Sequence, residues 1–229
     1  MSAMQAVVLC GGLGTRLRPL TEKVPKPMVE LNGKPFLEHL VLFLKKQGFS
    51  EFLFLSSYLH EKIESHFGNG KKFGVNIAYS VEEKLLGTGG ALLNAEQKLG
   101  EEFLLVNGDT FLPINFRELI QFYRSIESNV IVAYIGFEEI AASNLQVEGN
   151  KVLAYNKAGS SSMNAVDAGI QVLQKDSFSY FPKKKEFSLE EEVFPVLARN
   201  HALFAFPTEQ RFYDMGSKEK LKALAKVIK

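Results

Sequence analysis

Two rhythms of apolar and polar positions run along this chain. Short, almost wholly apolar runs recur at Val7–Leu9, Phe52–Leu55, Val75–Tyr79, Phe103–Val106 and Val130–Ile135. Their length and their β-branched and aromatic content predict buried strands. Between them the apolar residues repeat every three to four positions. Leu37, Leu40, Val41 and Leu44 form one stripe within Pro35–Gln47, and Gly48 follows as a stop, which predicts a helix. The same period predicts helices over Tyr58–Phe67, Gly90–Leu99 (Leu92, Ala95 and Leu99 inward) and Phe116–Ile126. A strand–helix alternation of this kind predicts an α/β fold: a doubly wound, mostly parallel, Rossmann-like sheet with helices on both faces. Such sheets bind ligands beyond the carboxyl ends of their strands. The turns after Leu9, at Gly87–Gly90 and at Asn107-Gly108-Asp109 fall on that edge.

After Gly136 the pattern changes. Gln146–Glu148 and Lys151–Asn156, joined across Gly149-Asn150, predict a hairpin. A Ser/Gly-rich loop over Ala158–Met163 leads to a strand at Val166–Leu173, a helix at Leu189–Arg199 and a strand at Leu203–Phe206. Ser217 is placed to cap a final helix through Lys229. No repeat, linker or low-complexity tract interrupts the chain. We therefore expect one domain over 1–229, with 1–136 as its first half and a smaller, β-rich 137–229 completing the same body.

Composition narrows the function classes. A hydrophobic content of 46% with 19 Phe is enough for a substantial core. The 27 basic and 26 acidic residues leave a net charge of +1, so nothing favours nucleic acid or an anionic membrane, and any anion site must be local. The single cysteine, Cys10, excludes an internal disulfide and a cysteine metal cage. It closes an apolar strand with no base nearby in sequence and reads as a small buried residue. No run approaches a membrane span, and the short apolar run before the first glycines does not match a signal peptide, so a cytoplasmic location is expected. The histidines make no zinc site: His60-Glu61 is followed by Glu at 64, and His39 and His66 sit in helical runs. Lys183–Lys185 reads as a solvated turn.

The chemistry concentrates at residues 8–28. A strand ends at Leu9 and runs into Gly11, Gly12 and Gly14, whose backbone can approach a ligand and point N–H groups at an anion. Arg16 follows with a fork of donors suited to phosphate. Lys26 lies between Pro25 and Pro27, and Pro27 biases it towards an extended backbone, which predicts a positioned charge. A Walker loop is absent, because Gly70-Lys71 is followed by Lys72. A dinucleotide fingerprint is also absent, because Gly12-x-Gly14-x-x ends on Leu17. Asp109, directly after an apolar strand, is placed for Mg²⁺, though Asn-Gly-Asp is equally turn chemistry. Leu86–Gly90 opens a helix whose small residues let a base or ribose lie on the backbone.

The run Gly-Leu-Gly-Thr-Arg followed by Pro-Lys-Pro resembles the signature of the sugar-1-phosphate nucleotidylyltransferases, or NDP-sugar pyrophosphorylases. These join a nucleoside triphosphate to a sugar 1-phosphate with Mg²⁺ and release pyrophosphate. Leu-Gly-Thr-Gly-Gly-Ala with Arg-Phe-Tyr-Asp-Met-Gly-Ser most resembles the short guanylyltransferases acting on heptose 1-phosphate or mannose 1-phosphate. The resemblance spans nearly the whole chain. It implies a nucleotide-binding half over 1–136 and a sugar-binding half over 137–229. Leu9, Gly11, Gly12, Gly14, Thr15, Arg16, Lys26, Gly87 and Thr88 would bind the nucleotide. Arg16, Lys26 and Asp109 would be catalytic. Asp109 and Asp214 would hold Mg²⁺. Gly108, Asn156, Lys157 and Asp167 would face the sugar phosphate. Asn156 departs from the family's usual Glu or Asp before the lysine, removing a charge next to the sugar. The resemblance implies GTP as donor and leaves a homo-oligomer open. Three alternatives stand beside it: UTP with an amino sugar 1-phosphate such as N-acetylmuramate 1-phosphate, an inactive nucleotide-sugar-binding subunit, and a cytidylyl- or guanylyltransferase for a cofactor precursor such as molybdopterin.

Overall fold

The structure is a computed structural model and describes residues 4–136 and 141–228. Nine strands form the central sheet: β1 (Gln5–Leu9), β2 (Glu51–Ser56), β3 (Asn76–Val81), β4 (Glu102–Asn107), β5 (Asn129–Tyr134), β6 (Leu145–Glu148), β7 (Lys151–Tyr155), β8 (Val166–Gln174) and β9 (Leu203–Thr208). Their spatial order is β3-β2-β1-β4-β8-β5-β9-β7-β6. The expected α/β sheet is present, and it is mixed. The β3-β2-β1-β4 portion is parallel throughout, as is the β5–β9 pair. β8 inserts antiparallel between β4 and β5, and the hairpin β6–β7 closes one edge antiparallel. The strands after residue 140 thus extend and complete the sheet begun by the first half.

Among the described residues six α-helices cover the sheet: α1 (Phe36–Lys46), α2 (His60–Phe67), α3 (Gly87–Asn94), α4 (Phe116–Ile126), α5 (Phe194–Arg199) and α6 (Lys218–Val227). The two-residue period of the strands decides what each face receives. Ala6 and Val8 of β1 and Phe52 and Phe54 of β2 pack with α1, α2, α4 and α6. Val7 of β1 and Leu53 and Leu55 of β2 pack on the other face with α3 and α5. Phe54, fully buried, meets Phe67 and Tyr79 edge-on at centroid distances of 5.3 and 5.8 Å. Burial of one such ring contributes about 1.5–3 kcal/mol.

Three expected elements differ in detail. The Gly90–Leu99 helix begins at Gly87 and gives way to a 3₁₀ turn over Glu96–Lys98. Lys26 is not extended: it opens a 3₁₀ turn, Lys26–Met28, in which Met28 N donates to Pro25 O at 2.8 Å. Pro27 is tolerated because an N–H in the first turn of a helix has no partner to lose. The Leu189–Arg199 helix divides into a π turn, Leu189–Val193, followed by α5. Pro195 has no N–H for the carbonyl four residues earlier, so the regular ladder cannot run back through this segment. Ser217 does cap α6, accepting from Lys220 N at 3.2 Å, and Lys229 lies outside the described residues.

Candidate active site

Two cavities lie along the edge formed by the carboxyl ends of β1, β3 and β4, and a third, beyond the carboxyl end of β7, shares Glu190 with the first. The first, about 340 Å³, is walled by Leu9, Gly11, Gly12, Gly14, Thr15, Arg16, Lys26, Thr88, Asn107, Asp109 and Glu190. Its floor forms because Cys10 N still bonds to Leu55 O at 2.7 Å while the chain beyond it turns away. Gly14 has φ 58°, and a Cβ there would meet Thr21 Cγ2 at 3.0 Å and Lys26 Cβ at 3.1 Å. Only a bare backbone lets the loop close over Lys26. Thr21 Oγ1 fastens the loop by donating to Gly14 O at 2.7 Å, and buried Leu17 anchors the turn that leaves Arg16 exposed at the cavity. Lys26, 14% exposed, forms an ion pair with Asp109, 33% exposed.

A second cavity, about 280 Å³, shares Leu9, Gly11, Gly12 and Thr88 with the first. Leu55, Leu85, Gly87 and Ala91 complete its apolar wall, and Glu82 supplies its charge. Glu82 is 7% exposed, and its Oε2 accepts from Leu86 N at 2.8 Å. Burial raises its pKa, and the Leu86 N–H opposes the rise. Among the described residues its Oε1 has no hydrogen bond. Oε1 and the buried, unpartnered Ser57 Oγ lie 3.6 and 3.3 Å from where a Cβ on Gly11 would stand. A side chain at Gly11 would fill this corner.

The third cavity, about 380 Å³, is walled by Tyr155, Asn156, Lys157, Ala158, Glu190, Glu191 and Pro195. Lys157 Nζ pairs with Glu191 Oε1 at 2.9 Å. Asn156 is held by its own turn, accepting from Ala158 N at 3.1 Å and donating to Gly159 O at 3.1 Å. Asp167 lies where β8 bulges on its pairing with β5. It accepts from Tyr155 Oη at 3.0 Å, Gly169 N at 2.8 Å and Gln171 Nε2 at 2.9 Å. Burial pushes the Asp167 carboxyl up to about 7 against these donors, with Glu190 adding to the rise. Burial and the Asp167 charge push the Tyr155 hydroxyl up as well.

The expected residues therefore gather unevenly. Leu9, Gly11, Gly12, Gly14, Thr15, Arg16, Lys26, Thr88 and Asp109 share the first cavity, Gly87 lies in the second, and Asn156 and Lys157 lie in the third. Gly108 is buried, and its N–H donates to Leu9 O at 3.0 Å, which binds the ends of β1 and β4 together. Asp214 does not line the first cavity with Asp109; it lies in a separate pocket beside Lys220 and approaches Asp109 through the backbone. Tyr213–Asp214 pairs with Thr110–Phe111, and Met215 N donates to Asp109 O at 3.0 Å. The Asp214 carboxylate accepts from Lys220 Nζ at 2.5 Å and Gly216 N at 2.7 Å. Among the described residues no group of three or more His, Cys, Asp or Glu side chains could hold a metal ion. No helix among them is long and apolar enough to cross a membrane.

A glycine loop, a caged lysine and an acid at one sheet edge form a phosphate-handling arrangement. A sequence model of the nucleotidyl transferases matches residues 5–145. The chain belongs to the nucleotidyl transferase family. Among relatives of this nucleotidyl transferase, D-glycero-alpha-D-manno-heptose 1-phosphate guanylyltransferase of Campylobacter jejuni is 35% identical over 222 residues, 94% of this chain and 96% of that one. The enzyme of the same name from Aneurinibacillus thermoaerophilus is 31% identical over 93% of each. The crystal structure of HddC from Yersinia pseudotuberculosis superposes with a TM-score of 0.85 at 28% identity, covering 99% of this chain and 100% of that one. A second structure of it, complexed with GMP-PN, gives 0.84.

Four residues of this transferase escaped the sequence reading: Glu82, Tyr155, Glu190 and Glu191. Glu82 follows directly on β3, so the rule that ligands bind beyond strand ends pointed to it. Glu190 and Glu191 sit in an acidic run after Ser188 that reads locally as a helix start, and nothing in that run marks them as cavity residues.

Proposed function

We propose that this chain is a sugar-1-phosphate guanylyltransferase, joining GTP to a mannose- or heptose-type sugar 1-phosphate and releasing pyrophosphate. The observation that carries the choice of base is Glu82. A carboxylate with one oxygen open in an apolar cavity demands donors. Guanine offers two adjacent donors, N1–H and the 2-amino group. Uracil and thymine offer one N–H between two carbonyls, and adenine and cytosine pair a donor with an acceptor. The names of the C. jejuni and A. thermoaerophilus relatives, and the GMP-PN complex of the Yersinia neighbour, support the same reading.

In this reading a sugar phosphate oxygen attacks the α-phosphorus, the bond from that phosphorus to the bridging oxygen breaks, and pyrophosphate leaves in line. The nucleophile is already anionic, so no general base is needed. The protein's task is to bring two anions together and to neutralise developing charge. Arg16 and the loop amides hold the β- and γ-phosphates. Lys26 serves the α-phosphate, and Lys157 the sugar phosphate. Asp109 at the first cavity, with Asp214 on the adjoining backbone, would hold Mg²⁺, which takes one or two carboxylates and phosphate oxygens. The ion, when bound, would neutralise triphosphate charge. Glu190 and Glu191 in the third cavity make the sugar side acidic, which favours a neutral sugar over one bearing a carboxylate such as N-acetylmuramate. The test is Mg²⁺-dependent pyrophosphate release over a grid of nucleoside triphosphates and sugar 1-phosphates, with Asp109→Ala as control. Turnover confined to GTP with mannose or heptose 1-phosphate supports the reading. Turnover with UTP and an amino sugar 1-phosphate overturns it.

A further inference from the structure

Thr88 lines the first two cavities, the ones assigned to the nucleotide, yet its hydroxyl is already engaged. Its only proton goes to Glu190 Oε2 at 2.6 Å, and its oxygen accepts from Leu189 N at 2.9 Å. Phosphate oxygens accept hydrogen bonds and donate none, so this hydroxyl has nothing left to give them. Ser188 Oγ donates to the same Glu190 oxygen at 2.7 Å. The surrounding backbone is joined as well: Gly89 N and Gly90 N donate to Phe187 O at 3.1 and 3.2 Å, and Phe187 N donates to Leu86 O at 2.9 Å. The segment that opens α3 and the π turn therefore form one unit. A Cβ on Gly87, whose φ is 76°, would stand 2.5 Å from Phe187 O, which shows how closely the two segments approach.

Glu190 is common to the first and third cavities, and its Oε1 has no hydrogen bond among the described residues. We infer that Glu190 receives ring hydroxyls of the sugar at the junction of these cavities, and that Thr88 and Ser188 are positioning residues which aim it. Thr88 then serves sugar selection through Glu190, although it lies on the nucleotide side. The inference rests on the transferase reading above. It names the substrate class as a neutral sugar with hydroxyl donors facing a carboxylate.

Steady-state kinetics with GTP and mannose 1-phosphate test it. Thr88→Val keeps the shape and removes both the donor to Glu190 and the acceptor for Leu189 N. It should raise KM for mannose 1-phosphate roughly tenfold, with KM for GTP within about twofold of the parent. Thr88→Ser should restore the parent value, and Glu190→Gln should raise KM for the sugar phosphate at least as much as Thr88→Val. A rise in KM for GTP with mannose 1-phosphate unaffected overturns the inference and leaves the transferase reading standing. A joint rise in both constants that Thr88→Ser does not restore, with a fallen Tm, makes Thr88 a structural residue and overturns it too. No turnover by the unaltered protein on any triphosphate and sugar phosphate overturns both readings together.

Discussion

Replacing Glu82 with glutamine tests whether this carboxylate chooses the base. The side chain keeps its length and an acceptor for Leu86 N, so the loop at 82–86 should hold. Two things change at the open end: the negative charge disappears, and an N–H₂ group faces a base edge that itself presents donors. At 7% exposure, with leucines around it, solvent does little to soften the mismatch. A hydrogen bond to a charged group is worth about 1.5–3 kcal/mol, and an unpaired buried donor adds about 1–3 kcal/mol. A combined loss of about 3–4 kcal/mol lowers kcat/KM for GTP on the order of 10²–10³-fold. The N–H₂ at the open end can donate to a uracil carbonyl, so UTP should gain on GTP. The assay is kcat/KM for GTP and UTP with mannose 1-phosphate, and Tm as a fold check. Because the substitution removes a buried carboxylate whose pKa burial has raised, Tm should hold or rise. A variant that keeps GTP efficiency within about threefold of the parent would refute the assignment of Glu82 as base reader.

Lys26→Ala should lower kcat on the order of 10²–10³-fold, as for other preorganised donors, in a folded protein by circular dichroism; near-normal kcat would remove Lys26 from the reaction. Asp167→Asn should alter the pH dependence of stability. The native carboxyl, raised to about 7, keeps its proton where the unfolded chain, near 3.8, has lost it. The parent therefore loses stability as pH rises from about 4 to about 7, by at most about 1.4 kcal/mol per pH unit from this group. Urea midpoints at pH 5 and pH 8 should differ less in Asp167→Asn than in the parent. Gly87→Ala should fail to fold or lose several degrees of Tm, since a Cβ would stand 2.5 Å from Phe187 O at φ 76°; an unchanged Tm contradicts the close packing of α3 on the π turn.

Where the chemistry was carried by a few neighbouring residues, it could be read directly. Gly11, Gly12, Gly14, Arg16 and Lys26 lie within 16 positions of one another and line one wall, because a single loop closes on itself there. Asp109 was legible because an acid directly after an apolar strand has to lie at the sheet edge. Asp214 was legible only as part of a resemblance, and its place beside Asp109 depends on a two-residue strand pairing across about 100 positions. Glu190 was not legible at all. Its partner Thr88 lies 102 residues away, and no local period encodes which remote acid a hydroxyl will meet.

Alternation of strand and helix, the faces those elements bury and the phosphate-type loop were determined by the sequence itself, because backbone period and glycine conformation act over a few residues. The tertiary structure alone decided that β8 enters antiparallel between β4 and β5, that Lys26 is caged by Asp109, and that the hydroxyl of Thr88 turns to Glu190. These outcomes depend on which surfaces dock once the whole chain is compact. Hydrogen bonds and ion pairs are then settled by the partner within reach in space, and the number of residues between partners has no bearing on it.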